Sequence, residues 1–348
     1  MKKSTKVCIG IFAVFIVIIA ATAAGLIVAH ENNLHSMLHI ILDTDIGPWP
    51  DDVAALAYLH SYADHNKLEL LAVMANNAYE GIVAVIDAMN TYFNRTHIPI
   101  GITKDSSAVR DQGVIGWPQY VVDNFPHPNY QLNSQAYDAV KLYRKVLADA
   151  DDYSVTILSI GYFNNLANLL KSPSDEYSDL NGRQLIELKV RNLVAMAGEF
   201  PSGAETNIRD QIEAASGALL NWPTPVTFSG EEIGRDIECG LNLIDPNNNN
   251  ITYMPKSPVG MMFQMAYQYD GDWTWGHYGC YDPTAALITV RGVQPMFENV
   301  PGMIGIDPVN GTNWWVVPDD PKLITQSYIR QVQNVDTIKD TINKFIYR

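Results

Sequence analysis

The sequence predicts an α/β fold with a mostly parallel central sheet and helices on both faces. Three observations predict it. From Met37 onward short apolar runs alternate with helix-like stretches. The runs Met37 to Leu42 and Leu68 to Ala75 enclose a segment, Asp51 to Ala63, whose Val53, Leu56 and Ala57 have the spacing of a helix face. Carboxylates collect where the first run ends, and in open parallel sheets ligands bind at the carboxyl ends of strands.

Ahead of this pattern lies an apolar leader. Lys2, Lys3 and Lys6 precede an uncharged run from Val7 to Ala29, long enough to span a bilayer, for which about 20 apolar residues suffice. Ala21-Thr22-Ala23 offers a small-residue cleavage pattern, so residues 1–30 read either as a cleaved signal peptide or as a signal anchor that engages the membrane. Both readings put residues 31–348 outside the cytosol, secreted or held by a single-pass anchor with the domain extracellular or lumenal. Three Asn-x-Ser/Thr sequons, at Asn94, Asn250 and Asn310, fit a secretory route, although so Asn-rich a chain contains roughly this many by chance. With Cys8 in the leader, Cys239 and Cys280 are left as the one pair that an oxidising compartment could join; a disulfide and two free thiols both stand. The formal net charge of -15 would repel a phosphate backbone. Nucleic acid polymers are excluded as partners, and a neutral small molecule or one bound through a cation is favoured.

The two runs around Asp51 to Ala63 read as buried strands and make a βαβ unit, hence a parallel pair in a Rossmann-like open sheet. Tyr79 to Phe93 reads as a second helix, Ser154 to Ile160 as a strand followed by a helix from Phe163 to Leu170, and Val190 to Met196 and Pro225 to Ser229 as further strands with Ile212 to Leu220 helical between them. Residues 31–348 show no internal repeat and no linker, so they read as one domain.

Directly after His39-Ile40-Ile41-Leu42 comes Asp43-Thr44-Asp45-Ile46-Gly47-Pro48-Trp49-Pro50-Asp51-Asp52. Four carboxylates this close would repel one another strongly without a positive charge among them. Capping of a helix N-terminus explains Asp51 or Asp52 and leaves Asp43 and Asp45 unexplained. A bound cation accounts for all, and hard oxygen donors on an irregular loop suit Ca²⁺.

The segment resembles the amino-terminal signature of the inosine-uridine nucleoside hydrolase family, Asp-x-Asp-x-Gly and then Asp-Asp before an apolar helix, with two extra residues before Asp51-Asp52. The resemblance runs from about Leu38 to about Gly292. Leu70-Leu71-Ala72-Val73 leading to Asn76-Asn77 is similar to the second strand and its substrate-contacting Asn, for which Asn77 has the better spacing. Thr156 to Gly161 with Asn164-Asn165-Leu166-Ala167 is similar to the strand, Gly turn and helix whose backbone carbonyl contacts the metal, here that of Ile160. Met196-Ala197-Gly198, Glu205-Thr206-Asn207 and Glu213-Ala214-Ala215 resemble the elements that grip the sugar, with Glu199 where the family has an Asn. Tyr281-Asp282-Pro283 resembles a His-Asp-Pro element, with Tyr281 in place of the His.

The resemblance implies a nucleoside hydrolase fold and a nucleosidase that splits the N-glycosidic bond of a nucleoside or riboside into ribose and free base. It assigns the metal ligands to Asp45, Asp52, Ile160 and Asp282, the general base to Asp45, and sugar contacts to Asp51, Asn77, Glu199, Glu205 and Asn207. Departure of the base falls to Tyr281 or to His277, which sits in the aromatic run Trp273-Thr274-Trp275-Gly276-His277-Tyr278. Trp273 and Trp275 are able to stack on a base, and the same aromatics would equally serve core packing or a homo-oligomer contact. Two other readings remain open at this stage: a calcium-dependent nucleoside or sugar binding protein with little turnover, favoured by Tyr281 and Glu199, and a hydrolase of a different N-riboside or glycoside.

Overall fold

Strand β1 (Leu38–Thr44) lies in the middle of the sheet because both of its faces are apolar. Ile40 and Leu42 pack with Val53, Leu56 and Val73 on one side, while Ile41 packs with Ala72, Met74 and Phe163 on the other. Alternate side chains of one strand thus feed two cores, and each core must be covered by helices. The computed structural model describes residues 37–65, 67–240, 243–244, 256–270 and 279–346. The leader, Asn250, Trp273, Trp275 and His277 lie outside the described residues.

The remaining strands are β2 (Leu68–Ala75), β3 (Ile100–Ile102), β4 (Tyr137–Asp138), β5 (Val155–Ser159), β6 (Val190–Met196), β7 (Ser202–Gly203), β8 (Val226–Ser229), β9 (Phe297–Ile306), β10 (Asn313–Val316) and β11 (Gln326–Gln331). They form one sheet in the order β4-β3-β2-β1-β5-β6-β8-β11-β9-β10-β7. Pairing is parallel from β4 through to β11. It turns antiparallel between β11 and β9, β9 and β10, and β10 and β7. The sheet is therefore mostly parallel, as expected, with an antiparallel flank that the sequence reading had not assigned to strands.

Helix α1 (Asp51–Ala63) returns the chain from β1 to β2 and is buried almost all round, because α4 (Tyr281–Arg291) packs beside it on the same face of the sheet and the helix Val335–Ile346 packs on it as well. Helix α2 (Ile82–Tyr92) starts later than the predicted Tyr79, because Gly81 takes a left-handed conformation (φ 105°) that ends the preceding turn. Helix α3 (Asn164–Lys171) follows β5 and covers the opposite core with Leu166 and Leu169. Helices thus lie on both faces. The sequence elements in β2, α1 and β6 coincide with those observed, and the other predicted ends move by at most three residues.

Asn94 and Asn310 are exposed, and no helix of the described residues is long and apolar enough to cross a membrane. Cys239 and Cys280 are joined in a disulfide with their Cα atoms 5.7 Å apart, both side chains buried. Around it the Cys280 N–H donates to the Ile237 carbonyl at 2.7 Å, and Glu238 bridges to Gly279. The bond closes a sequence separation of 41 residues immediately before Tyr281 and Asp282. Restricting an unfolded loop of that length is worth about 4 kcal/mol. Chemical denaturation of the oxidised chain and of the Cys239→Ser, Cys280→Ser double variant should differ by about that amount; equal midpoints and slopes would mean that the bond does not hold this region.

Candidate active site

The strand order reverses at β1, whose chain continues to β2 on one side while β5 lies on the other. This switch point leaves a crevice at the carboxyl ends of β1 and β5, where Asp43-Thr44-Asp45 meets Ser159-Ile160-Gly161. Asp43 forms the floor. Its Oδ2 accepts from the Tyr143 hydroxyl at 2.7 Å, and its Oδ1 accepts from Asn76 Nδ2 at 2.6 Å and Asn165 Nδ2 at 3.2 Å. Burial pushes the Asp43 carboxyl up to about 7 in spite of these donors. Asn76 in turn accepts from the Tyr162 N–H at 3.1 Å through its Oδ1, and Asn164 Nδ2 donates to the Asn76 carbonyl at 2.8 Å. The paired Asn after β2 is therefore more than a turn: Asn76 ties the ends of β1, β2 and β5 together.

Asp51 and Asp52 occupy the first turn of α1, and Asp282 occupies the first turn of α4. The two helices pack side by side with these turns together, so that carboxylate oxygens of Asp51, Asp52 and Asp282 all lie within 4.8 Å of one another. Asp52 is held by the Thr44 hydroxyl, whose oxygen also accepts the Ile46 N–H at 3.1 Å. The close group includes Asp51, which the resemblance had assigned to the sugar, and does not include Asp45. Asp45 nevertheless shares its field. Burial and then the Asp51 charge push the Asp45 carboxyl up to about 8. Burial pushes Asp51 up to about 6, with a hydrogen bond from Asp282 opposing the rise. Asp52 and Asp282 are raised well above the usual carboxylate range by burial, the first also by Asp45 and Asp51, the second by Asp51 and Asp52. Helix N-termini favour anions by only about 0.3–1 kcal/mol. Two of them do not offset four mutually repelling carboxyls, two of them buried and two half-buried.

Gly161 sets the distance between the halves of the crevice, since a Cβ there would lie 2.5 Å from Asp45 Oδ1 and 2.8 Å from Asn76 Oδ1. Tyr79 and Tyr162 border the pit, and burial together with the Asp45 and Asp52 charges keeps both hydroxyls protonated. Ile160 is buried, and its N–H donates to the Asp43 carbonyl at 2.8 Å. Asn77 is committed to its own loop: Nδ2 donates to the Asp111 carbonyl at 2.5 Å and Oδ1 accepts the Tyr79 N–H at 3.2 Å.

Beyond β6, Glu205 accepts the N–H groups of Asn207 at 2.6 Å, Gly198 at 3.0 Å and Ile208 at 3.3 Å. Burial still pushes its carboxyl up to about 7. Asn207 donates its Nδ2 to the Met196 carbonyl at 3.1 Å. Glu199 is partly exposed and accepts from Arg235 at 3.0 Å, a guanidinium that also contacts Glu231 at 3.0 Å. Tyr281 is half-buried, and its hydroxyl is raised by burial first and by Asp51 second. Gly234 and Gly279 make room for it, a Cβ at either coming within 2.6 Å of its ring. Arg235, Tyr79, Tyr143 and Tyr162 were missed from sequence because each reaches the site from a different loop or helix, and Asn76 was passed over in favour of Asn77.

These elements define an α/β enzyme with an acidic pit at the switch point of a parallel sheet. The chain belongs to the family described as inosine-uridine preferring nucleoside hydrolase, which matches residues 40–337, and it is accordingly a hydrolase acting on N-glycosyl bonds. Its fold is similar to that of a plant nucleoside hydrolase, PpNRh1, at 15% identity and a TM-score of 0.64, covering 89% of this chain and 99% of that one. It is similar to the effector protein XOO4466 at 13% identity and a TM-score of 0.65, covering 93% and 98%. It is also similar to the type III effector XopQ, solved in complex with adenosine diphosphate ribose, at 13% identity and a TM-score of 0.60, covering 90% and 93%. A search of curated proteins finds no match.

The raised carboxyls have a thermodynamic consequence. Asp43, Asp45 and Asp51 hold protons more tightly in the folded chain than at the ordinary value of 3.8, up to about 7, 8 and 6. In cation-free protein the folded state therefore binds extra protons in this window, and its stability falls as pH rises through it. Thermal unfolding in chelator should show Tm dropping from pH 5 to pH 8, and Ca²⁺ should raise Tm most at the upper end, where the site is ionised. A calcium effect independent of pH would contradict this coupling.

Proposed function

We propose that the chain is a calcium-dependent nucleosidase that releases free base and ribose from nucleosides outside the cytosol. The observation that carries this reading is the convergence of Asp51, Asp52 and Asp282 within 4.8 Å, with Asp45 electrostatically coupled to all three. An all-carboxylate set with irregular spacing suits Ca²⁺, and the unfavourable ionisation of these groups when no cation is among them fits that assignment. Asp45, Asp52, Asp282 and the Ile160 carbonyl would hold the ion, with Asp51 at its edge. When bound, Ca²⁺ would supply charge neutralisation, orientation of the sugar hydroxyls and acidification of the attacking water.

Asp45 accepts the proton of that water. Its position against Gly161 leaves it little freedom, which suits a base that must meet one face of the sugar. Asp51 accepts from a ribose hydroxyl, and Glu205, Asn207 and Glu199 line the sugar side. The Asn77 amide, engaged by Asp111 and Tyr79, serves by holding that wall. On the leaving side Tyr281 remains protonated at neutral pH and is available to donate to the base, with His277 as its rival; Trp273 and Trp275 remain candidates for stacking. Delivery outside the cytosol is supported by the leader at residues 1–30, and glycan attachment by the exposure of Asn94 and Asn310.

A second reading, a riboside binder with little turnover, is favoured by Glu199, whose carboxylate is drawn onto Arg235. Incubation of the calcium-loaded chain with a nucleoside panel, followed by a reducing-sugar assay, separates the two. Turnover is expected, and Asp45→Asn should lower kcat by at least about a hundredfold while keeping the fold; near-normal turnover in that variant would move the base elsewhere. Tyr281→Phe should slow inosine far more than p-nitrophenyl riboside, whose leaving group needs little protonation. Equal slowing would assign Tyr281 to the shape of the pocket.

A further inference from the structure

At the end of the sheet opposite the acidic pit, between the starts of β5, β6 and β8 and the last turn of α4, lies a cavity of about 200 Å³. At about 30 Å³ per water this is room for roughly seven waters, or for one small sugar-sized molecule. Its walls break a pattern. Strands covered on both faces read as continuous apolar runs, and Val155, Ile157, Leu193, Val226 and Phe228 keep to that on the face away from α4. On the face that α4 covers, Thr156, Asn192 and Thr227 interrupt it, and α4 brings Thr289 to the same cavity. Thr156 is buried and the other three are half-buried.

Polar residues near strand ends are ordinary where water reaches them. The backbone that carries these is not. β5 pairs Val155 with Val190 and Thr156 with Asn192, so Arg191 is an extra residue bulged out of the ladder. In a regular strand Arg191 and Asn192 would point to opposite faces. Here both line the cavity, as expected when a bulge re-aims a side chain. Arg191 Nη2 donates to Thr156 Oγ1 at 3.4 Å, and Arg191 forms no ion pair among the described residues. The side chains of Asn192 and Thr227 have no hydrogen-bond partner among them either. Thr289 gives its hydroxyl proton to the Ala285 carbonyl at 2.8 Å and keeps its lone pairs free.

No carboxylate lines the cavity, although the chain carries 38 acidic residues against 23 lysines and arginines. A guanidinium without a carboxylate, beside an amide and hydroxyls, suits an oxyanion, which the guanidinium fork meets with two hydrogen bonds. An inorganic anion alone would leave most of the volume unfilled. The last carbonyls of α4 also end at this wall, where they disfavour bare negative charge and accept from hydroxyls. One oxyanion joined to several hydroxyls answers both conditions.

We infer that this cavity is a second ligand site for a small hydroxylated oxyanion, a sugar phosphate or a sugar acid. The bulge of β6 presents Arg191 to the oxyanion, while Asn192, Thr227 and the end of α4 take the hydroxyls. No step of the hydrolysis passes through it, so it stands or falls apart from the reading of the acidic pit.

Calorimetry on the calcium-loaded full-length chain tests this with ribose 5-phosphate and gluconate as full probes, and with ribose and inorganic phosphate as partial ones. At least one full probe should bind at one per chain, and the tighter of the two identifies the oxyanion. Ribose alone and phosphate alone should bind at least about tenfold more weakly. Arg191→Met, a change at an exposed side chain, should weaken binding at least about tenfold, and Thr227→Val, which removes one hydroxyl at nearly constant shape, by a smaller factor. Chelator should leave the affinity unchanged, because the acidic pit without a cation repels anions. Absence of binding by both full probes would overturn the proposal. So would an Arg191→Met affinity within twofold of wild type, or loss of binding on chelation in a chain whose circular dichroism is unchanged, which would place the ligand at the pit.

Discussion

Mutual repulsion among carboxyls gathered, buried or half-buried, at one point of the sheet is the constraint on which the rest of the site depends. Asp45, Asp51, Asp52 and Asp282 each carry a raised affinity for protons, and burial leads the causes in every case. A fold that only needed stability would place other residues there, since a buried, uncompensated charge costs several kcal/mol. Keeping such a cluster makes sense when a cation completes it. On that account the ion would be a structural element as well as a chemical one, joining the two helix N-termini that meet at the cluster.

The surroundings are built to keep the cluster in place. Asp43 spends both oxygens on Tyr143, Asn76 and Asn165, and these three come from separate segments. Asn76 passes the constraint to the Gly161-Tyr162 turn, and Gly161 lets Asp45 sit directly on that turn. On the far side the disulfide fixes Cys280 next to Ile237, so that Tyr281 and Asp282 enter α4 from a defined point. The arrangement concentrates rigidity around the acidic group.

Much of this was legible in the sequence, for physical reasons that differ by element. β2 and α1 were read with their full extents because a buried strand and a helix between two strands leave strong apolar patterns. The acidic loop was legible because carboxylates at that density have few explanations. Asp282 became legible only through a family resemblance; alone it is a helix-start Asp-Pro. The antiparallel flank was not read, because the first half of β9 alternates partly buried with exposed residues and carries Pro301 and Gly302, giving a weak signal. Nor was the pairing of Glu199 with Arg235, which are far apart in sequence and meet only after β6 and β8 are in register. Asp51 was read as part of the acidic loop, but its closeness to Asp282 was not legible, because the position of a side chain within a helix's first turn depends on the neighbouring helix.

The central claim is that these four carboxylates form one cation site closed by a residue from the far end of the domain. Calorimetric titration of chelator-stripped chain with Ca²⁺, repeated on Asp282→Ala, tests it most directly. The account predicts a single site per chain in the native protein and loss of that site in the variant, with circular dichroism unchanged. Absence of calcium binding in the native chain, or undiminished binding in a folded Asp282→Ala variant, would contradict it.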